Sequence, residues 1–146
     1  MKKYKVGYTQ GTFDLFHIGH LNIIKNAKNQ CDYLIVGVNS DELVQNYKNK
    51  TPVINENDRA MIIESIKGVD KVIITETLDK LNIYNHFKFD AIFIGSDRKG
   101  NPRWEQTKED LNKIGVDVVF LPHTDGVSST MIREKCNYLK VGKDEK

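Results

Sequence analysis

Gly11-Thr12-Phe13-Asp14-Leu15-Phe16-His17-Ile18-Gly19-His20 sets two histidines three residues apart where a first strand gives way to a helix. Strand formers run through Tyr4 to Tyr8, and Leu21, Ile23, Ile24 and Ala27 then recur at helical spacing, so His17 and His20 share one face of the first turn. Backbone N–H groups at a helix start lack intrahelical partners and lie at the positive end of the dipole, which suits an anion. Gly11 and Gly19 have no side chain to hold a phosphate off the backbone. Two other readings stay open at this point. One imidazole can cap the helix while the other packs in the core, or the pair can ligate zinc, although the neighbouring sequence offers no third ligand.

Short apolar runs follow at Tyr33 to Val38, Lys71 to Ile74, Ala91 to Gly95 and Val116 to Leu121. They are continuous rather than alternating, as in strands buried on both faces. Helical spacing fills the intervals: after His20, from about Asp58 to Lys67, near Leu78 to His86, and over Trp104 to Ile114. Strand and helix alternate, so the fold class is α/β with a mostly parallel five-stranded sheet. Asn55 before Asp58 is a capping arrangement, and Gly68 and Gly115 stand where helix ends favour positive φ.

In open α/β sheets ligands bind outside the carboxyl ends of the strands. The unusual residues fall there: the histidine segment after the first strand, Asn39-Ser40-Asp41 after the second, Gly95-Ser96-Asp97-Arg98 after the fourth, and Pro122 to Thr130 after the fifth. Gly126, Ser128, Ser129 and Thr130 lead into Met131-Ile132-Arg133 as a second helix start with hydroxyl donors. Two anion sites facing each other suit a nucleoside triphosphate.

The 146 residues, 39% hydrophobic and 29% charged, suit one globular domain over 1–136, with 137–146 as a charged tail. A formal net charge of +2 is too small to argue for nucleic acid. Cys31 and Cys136 form no C-x-x-C pair, which points to reduced thiols and a cytoplasmic location. With no apolar leader and no run of about eighteen apolar residues, no membrane role is expected.

Together G-T-F-D-L-F-H-I-G-H, V-G-V-N-S-D-E-L, N-E-N-D-R, I-K-G-V-D-K-V-I and T-D-G-V-S-S-T resemble the cytidylyltransferase family over nearly the whole chain. The resemblance implies a single Rossmann-like, doubly wound sheet with helices on both faces, in a homodimer. It implies contacts to the triphosphate from His17 and His20 and to its β and γ phosphates from Ser129 and Thr130. It extends the nucleotide-binding set to Thr9, Gly11, Thr12, Phe13, Gly19, Gly95, Asp97, His123 and Ser128. Lys48 and Arg59 join the histidines as catalytic residues, and Asp14, Lys48, Lys50 and Asp70 match the acceptor side. Taken without the resemblance, Lys48 and Lys50 read as a solvated loop.

Three departures accompany this likeness. His123 stands where many relatives carry arginine, Gly95-Ser96-Asp97-Arg98-Lys99-Gly100-Asn101-Pro102-Arg103-Trp104 replaces a shorter G-D-D-W, and Lys67 stands for an arginine. The implied reaction joins CTP to a phosphorylated alcohol, glycerol 3-phosphate first, with Mg²⁺ held mainly by the CTP phosphates and no protein metal site. A phosphomonoester with pKa near 6 carries most of its second charge at neutral pH and needs no general base. Phosphocholine and phosphoethanolamine are alternative acceptors, with Tyr47 and Trp104 as candidate aromatics for the ammonium. The string S-S-T-M-I-R also resembles ATP-using adenylyltransferases. A nucleotide-binding regulatory module without catalysis is the reading from another class.

Overall fold

The computed structural model describes residues 2–144. Strands β1 (Tyr4–Gly11), β2 (Cys31–Asn39), β3 (Lys71–Thr75), β4 (Ala91–Gly95) and β5 (Asp117–Leu121) form one all-parallel sheet in the order β3-β2-β1-β4-β5. Helices α1 (Ile18–Lys28), α2 (Asp41–Lys48), α3 (Glu56–Glu64), α4 (Lys80–His86), α5 (Pro102–Lys113) and α6 (Ser129–Asp144) connect or follow the strands.

Both faces of the sheet are covered, which is why the strand runs are continuously apolar. Leu34, Val36 and Val38 pack with Ile24 and Ala27 of α1 and Ile63 of α3. Ile35, between them in sequence, turns to the other face and joins Ile83 of α4 and Leu111 of α5. Period-two alternation thus survives in orientation while vanishing from composition.

The chain winds from β1 through β2 to β3, then returns to the far side of β1 to lay down β4. That reversal places the crevice between β1 and β4. β1 pairs with β2 from Tyr4↔Cys31 as far as Gly11↔Val38, whereas it pairs with β4 only at Gly7↔Ala91 and Tyr8↔Ile92. The two strands therefore part beyond Tyr8, at the switch point where ligands of such sheets lodge.

Several boundaries differ from the sequence expectation. β1 continues to Gly11 because its ladder with β2 continues. α3 starts at Glu56 because Asn55 accepts from the Asp58 amide at 2.9 Å, and it stops at Glu64 before Gly68 at φ +100°. α2 is absent from the helical intervals read in the sequence, because only Leu43 and Val44 are buried, too few for an apolar period; Ser40 caps it through the Leu43 amide and Asn49 ends it at φ 54°. α6 runs across the boundary drawn at 137 as far as Asp144, so the expected tail continues the helix.

Candidate functional site

The turn from β1 into α1 is strained: Phe13 and Leu15 both adopt positive φ, 54° and 51°, without being glycine. Asp14 between them supplies the compensation. Its carboxylate, 3% exposed, accepts from the Val53 and Ile54 amides at 2.8 and 3.0 Å and lies 3.3 Å from the Arg133 guanidinium. Its carbonyl accepts from the Ser129 hydroxyl at 2.5 Å. One buried acid thus ties the histidine turn to the segment after the lysines and to the start of α6. It lines the cavity, and its oxygens accept from protein donors that position the turn.

His17 is the N-cap of α1: its Nδ1 accepts from the Gly19 amide at 3.0 Å, while His20 Nδ1 accepts from the His17 amide at 3.3 Å. Capping and anion binding therefore coexist, because an imidazole has two nitrogens. With an amide donating to each Nδ1, the neutral rings carry their protons on Nε2. Burial lowers the pKa of both; His20 is pushed down to about 4 by burial and by His17, against a smaller opposing pull from Asp14. At neutral pH the free protein presents two uncharged N–H donors. Gly19 is required by this packing, since a Cβ there would lie 2.9 Å from His17 Cε1.

Most of the residues expected at the site converge on one cavity of about 690 Å³ at the carboxyl ends of the strands. Thr9, Gly11, Thr12, Phe13, His17, Gly19 and His20 line it from the first turn, Lys48 and Lys50 from α2 and the residues after it, Gly95 and Asp97 from the end of β4, and His123, Ser128, Ser129 and Thr130 from the β5–α6 connection. Phe13 sets its ring edge-on to His20 with centroids 5.3 Å apart. Ser128 caps α6 by accepting from the Met131 amide at 3.0 Å. His123 does not stand alone, because its Nδ1 lies 3.7 Å from the Asp97 carboxylate.

Two expected residues lie elsewhere. Arg59 is fully buried behind the cavity wall, where it donates to the carbonyls of Ile54, Thr12 and Asn39 at 2.8, 2.7 and 2.7 Å and to the Asp41 carboxylate at 2.5 Å. A guanidinium fork with four of its five donors spent on these acceptors braces three loops, and its full burial keeps it out of the cavity lining. Asp70 precedes β3, at the amino ends of the strands; it accepts from the Leu34 amide at 2.8 Å and pairs with Lys28 at 2.7 Å. It holds β3 against β2, opposite the site.

Further residues complete the cavity, among them Tyr47 and Trp104, the candidate aromatics, and Lys80, which the sequence did not single out. Asn39 donates to Thr12 Oγ1 and the Tyr47 hydroxyl at 3.3 and 3.2 Å and accepts from Gln10 at 2.8 Å, so the ends of β1, β2 and α2 share one polar network. Lys80, Arg98, Arg103, Trp104 and Arg133 line it as well. Asp79, the N-cap of α4, was the signal that Lys80 starts a helix beside the strand ends. The arrangement can hold a polyanion on neutral N–H donors and hydroxyls at one side and a second anion on lysines at the other.

Comparison with known proteins agrees with this geometry. A model of cytidylyltransferase-like proteins matches residues 8–135. The chain is 39% identical over 127 residues to glycerol-3-phosphate cytidylyltransferase of Bacillus spizizenii, spanning 86% of this chain and 92% of that one. It is 36% identical over 129 residues to the Bacillus subtilis protein of the same name, covering 87% and 93%. Among solved structures, the lipopolysaccharide core biosynthesis protein of Thermoplasma volcanium superposes with a TM-score of 0.70 at 28% identity, over 85% of this chain and 99% of that chain. With the family model matching most of its length and these relatives 36–39% identical over most of both chains, the chain belongs to the cytidylyltransferase-like family.

Proposed function

We propose that the protein transfers the cytidylyl group of CTP to a small phosphorylated alcohol, with glycerol 3-phosphate the first candidate, and releases pyrophosphate. The observation that carries this reading is the pair of neutral histidines whose proton-bearing nitrogens are left free by the amides on Nδ1. The similarity to glycerol-3-phosphate cytidylyltransferases over most of both chains supports the choice of nucleotide and acceptor.

On this reading the triphosphate lies between α1 and α6, and the acceptor phosphate lies toward Lys48 and Lys50. An acceptor oxygen attacks the α-phosphorus, the new P–O bond forms as the bond to the β-phosphate oxygen breaks, and that oxygen leaves with its electron pair on pyrophosphate. The acceptor is already a dianion, so the protein's task is to bring two anions into line and donate to the oxygens on which charge grows. His17 and His20 do so as neutral N–H donors. Among the described residues no group of three or more His, Cys, Asp or Glu is placed to hold a metal. Mg²⁺, held mainly by the CTP phosphates on this reading, would supply charge neutralisation there.

Pyrophosphate release measured with CTP and with ATP, each against glycerol 3-phosphate, tests the proposal. Turnover with CTP is expected; turnover with ATP alone overturns the nucleotide assignment.

A further inference from the structure

A carbonyl oxygen can only accept, so the Gln10 side-chain atom that lies 3.1 Å from the Thr77 carbonyl is the nitrogen of its amide. That one assignment orients a whole chain of hydrogen bonds. Gln10 Nε2 also faces the Asn39 side chain at 2.8 Å, which must present Oδ1 to it, and Gln10 Oε1 must accept from the Tyr8 hydroxyl at 2.7 Å. Tyr8 is wholly buried, and burial raises its pKa, which keeps the phenol in the protonated form that donates. Gly37 makes the room, since a Cβ there would collide with the Tyr8 hydroxyl. With Oδ1 taken, Asn39 turns its two N–H bonds toward Thr12 Oγ1 and the Tyr47 hydroxyl, at 3.3 and 3.2 Å. Its direction is fixed from β1, the end of β2, α2 and the connection between β3 and α4.

The consequence lies at the cavity wall. Each hydroxyl receives an N–H from Asn39 and keeps its own proton, and the two oxygens stand 3.3 Å apart. One proton at most can pass between them, over a separation that is long for an O–H···O bond. Among the described residues no other acceptor meets either hydroxyl. Thr12 and Tyr47 both line the cavity, and Tyr47 is 38% exposed. At least one O–H donor is therefore aimed at an oxygen entering the cavity, and it cannot turn back into the protein, because Asn39 shows it only N–H. Thr12 belongs to the histidine turn, whereas Tyr47 directly precedes Lys48, whose Nζ lies 5.4 Å from the Tyr47 ring centroid. The hydroxyl pair thus stands at the seam between the histidine side and the lysine side.

We infer that Tyr47, oriented by Asn39, is a further acceptor-binding residue: its hydroxyl donates to a phosphate oxygen of the acceptor beside Lys48 and Lys50, while Thr12 next to it donates to the nucleotide. This rests on the function proposed above and adds to it the groups that hold the two anions side by side. A lysine ammonium on a flexible stem supplies attraction with little direction. A hydroxyl held in place by a fixed amide supplies the direction that in-line attack needs.

The test is steady-state kinetics with CTP and glycerol 3-phosphate varied in turn, in wild type, Tyr47→Phe, Asn39→Ala and the double variant, with the thermal midpoint of each. Tyr47→Phe keeps the ring beside Lys48 and removes only the O–H. It is expected to raise the acceptor KM about tenfold while the KM for CTP changes by no more than about twofold, since the lost bond is one to a charged oxygen. Asn39→Ala should also raise the acceptor KM, but by less in the Tyr47→Phe background than in wild type, because both substitutions remove the same oriented donor. A hydroxyl that only holds α2 against the strand ends would lower the thermal midpoint of Tyr47→Phe and leave the acceptor KM where it was, which overturns the inference. A KM for CTP raised as much as that for the acceptor, or additive effects of the two substitutions, overturns it as well. In each of these cases wild-type turnover leaves cytidylyl transfer intact. No pyrophosphate release by wild type with any phosphorylated alcohol removes the proposed function and this inference with it.

Discussion

The rings of His17 and His20 lie stacked with centroids 3.8 Å apart, each receiving an amide proton on Nδ1. Two stacked imidazolium ions would repel each other in a half-buried turn, so the geometry and the lowered pKa values express one fact. Both rings are neutral near pH 7.

Side-chain NMR of the free protein should show this directly. His20 is expected to titrate near 4, and His17 below 6.5, with both rings in the Nε2–H tautomer. The corresponding stability is lost on acidification: the unfolded histidines take up protons near 6.5 while the folded ones resist, so unfolding becomes easier as pH falls from 6.5 toward 4. An apparent pKa at or above 6.5 for either ring would contradict the neutral-donor assignment.

Replacing either histidine by alanine is expected to lower kcat by about 100-fold or more, since a single donor aimed at developing charge is commonly worth on the order of 3 kcal/mol. His17→Ser separates catalysis from capping, because serine is itself a good N-cap acceptor. It should restore the thermal stability lost in His17→Ala and leave kcat low. Normal turnover in His17→Ser would reduce His17 to a cap.

Lys48 and Lys50 line the cavity and belong to exposed positions, with Lys48 at the last position of α2. Alanine at both is expected to raise the acceptor KM with a smaller effect on kcat and on the KM for CTP. Steady-state kinetics with each substrate varied in turn will show it. An unchanged acceptor KM returns the pair to a solvated segment.

Arg59 predicts a stability effect instead. Arg59→Ala leaves the Asp41 carboxylate and three carbonyls without their donor, and removal of one partner of a buried pair typically costs about 3–5 kcal/mol. Chemical denaturation should register the loss. Arg59→Lys should recover only part of it, since an ammonium cannot reproduce the fork. A variant as stable as wild type would show that the loops do not depend on Arg59.

The α/β class, the strand positions and the first histidine turn were legible because they rest on local chemistry. Continuous apolar runs report burial on both faces whatever lies above them, and Asn55, Gly68 and Gly115 mark ends through their own backbone preferences. His17 and His20, three apart on a helix, had to share a face. Charge and motif alone could not say which ionic residues face the ligand. Arg59 and Lys80 are both buried cations, yet one is consumed by Ile54, Thr12, Asn39 and Asp41 behind the cavity wall while the other lines the cavity. Asp14 and Asp70 are likewise both acids expected at the acceptor, but β3 runs away from Asp70 and leaves it at the amino ends of the strands, while Asp14 enters the strained turn at their carboxyl ends. Such differences come mostly from partners that are 18 to 119 residues distant in sequence. Only the closing of the sheet brings those partners together, and with them the charge left over for a substrate.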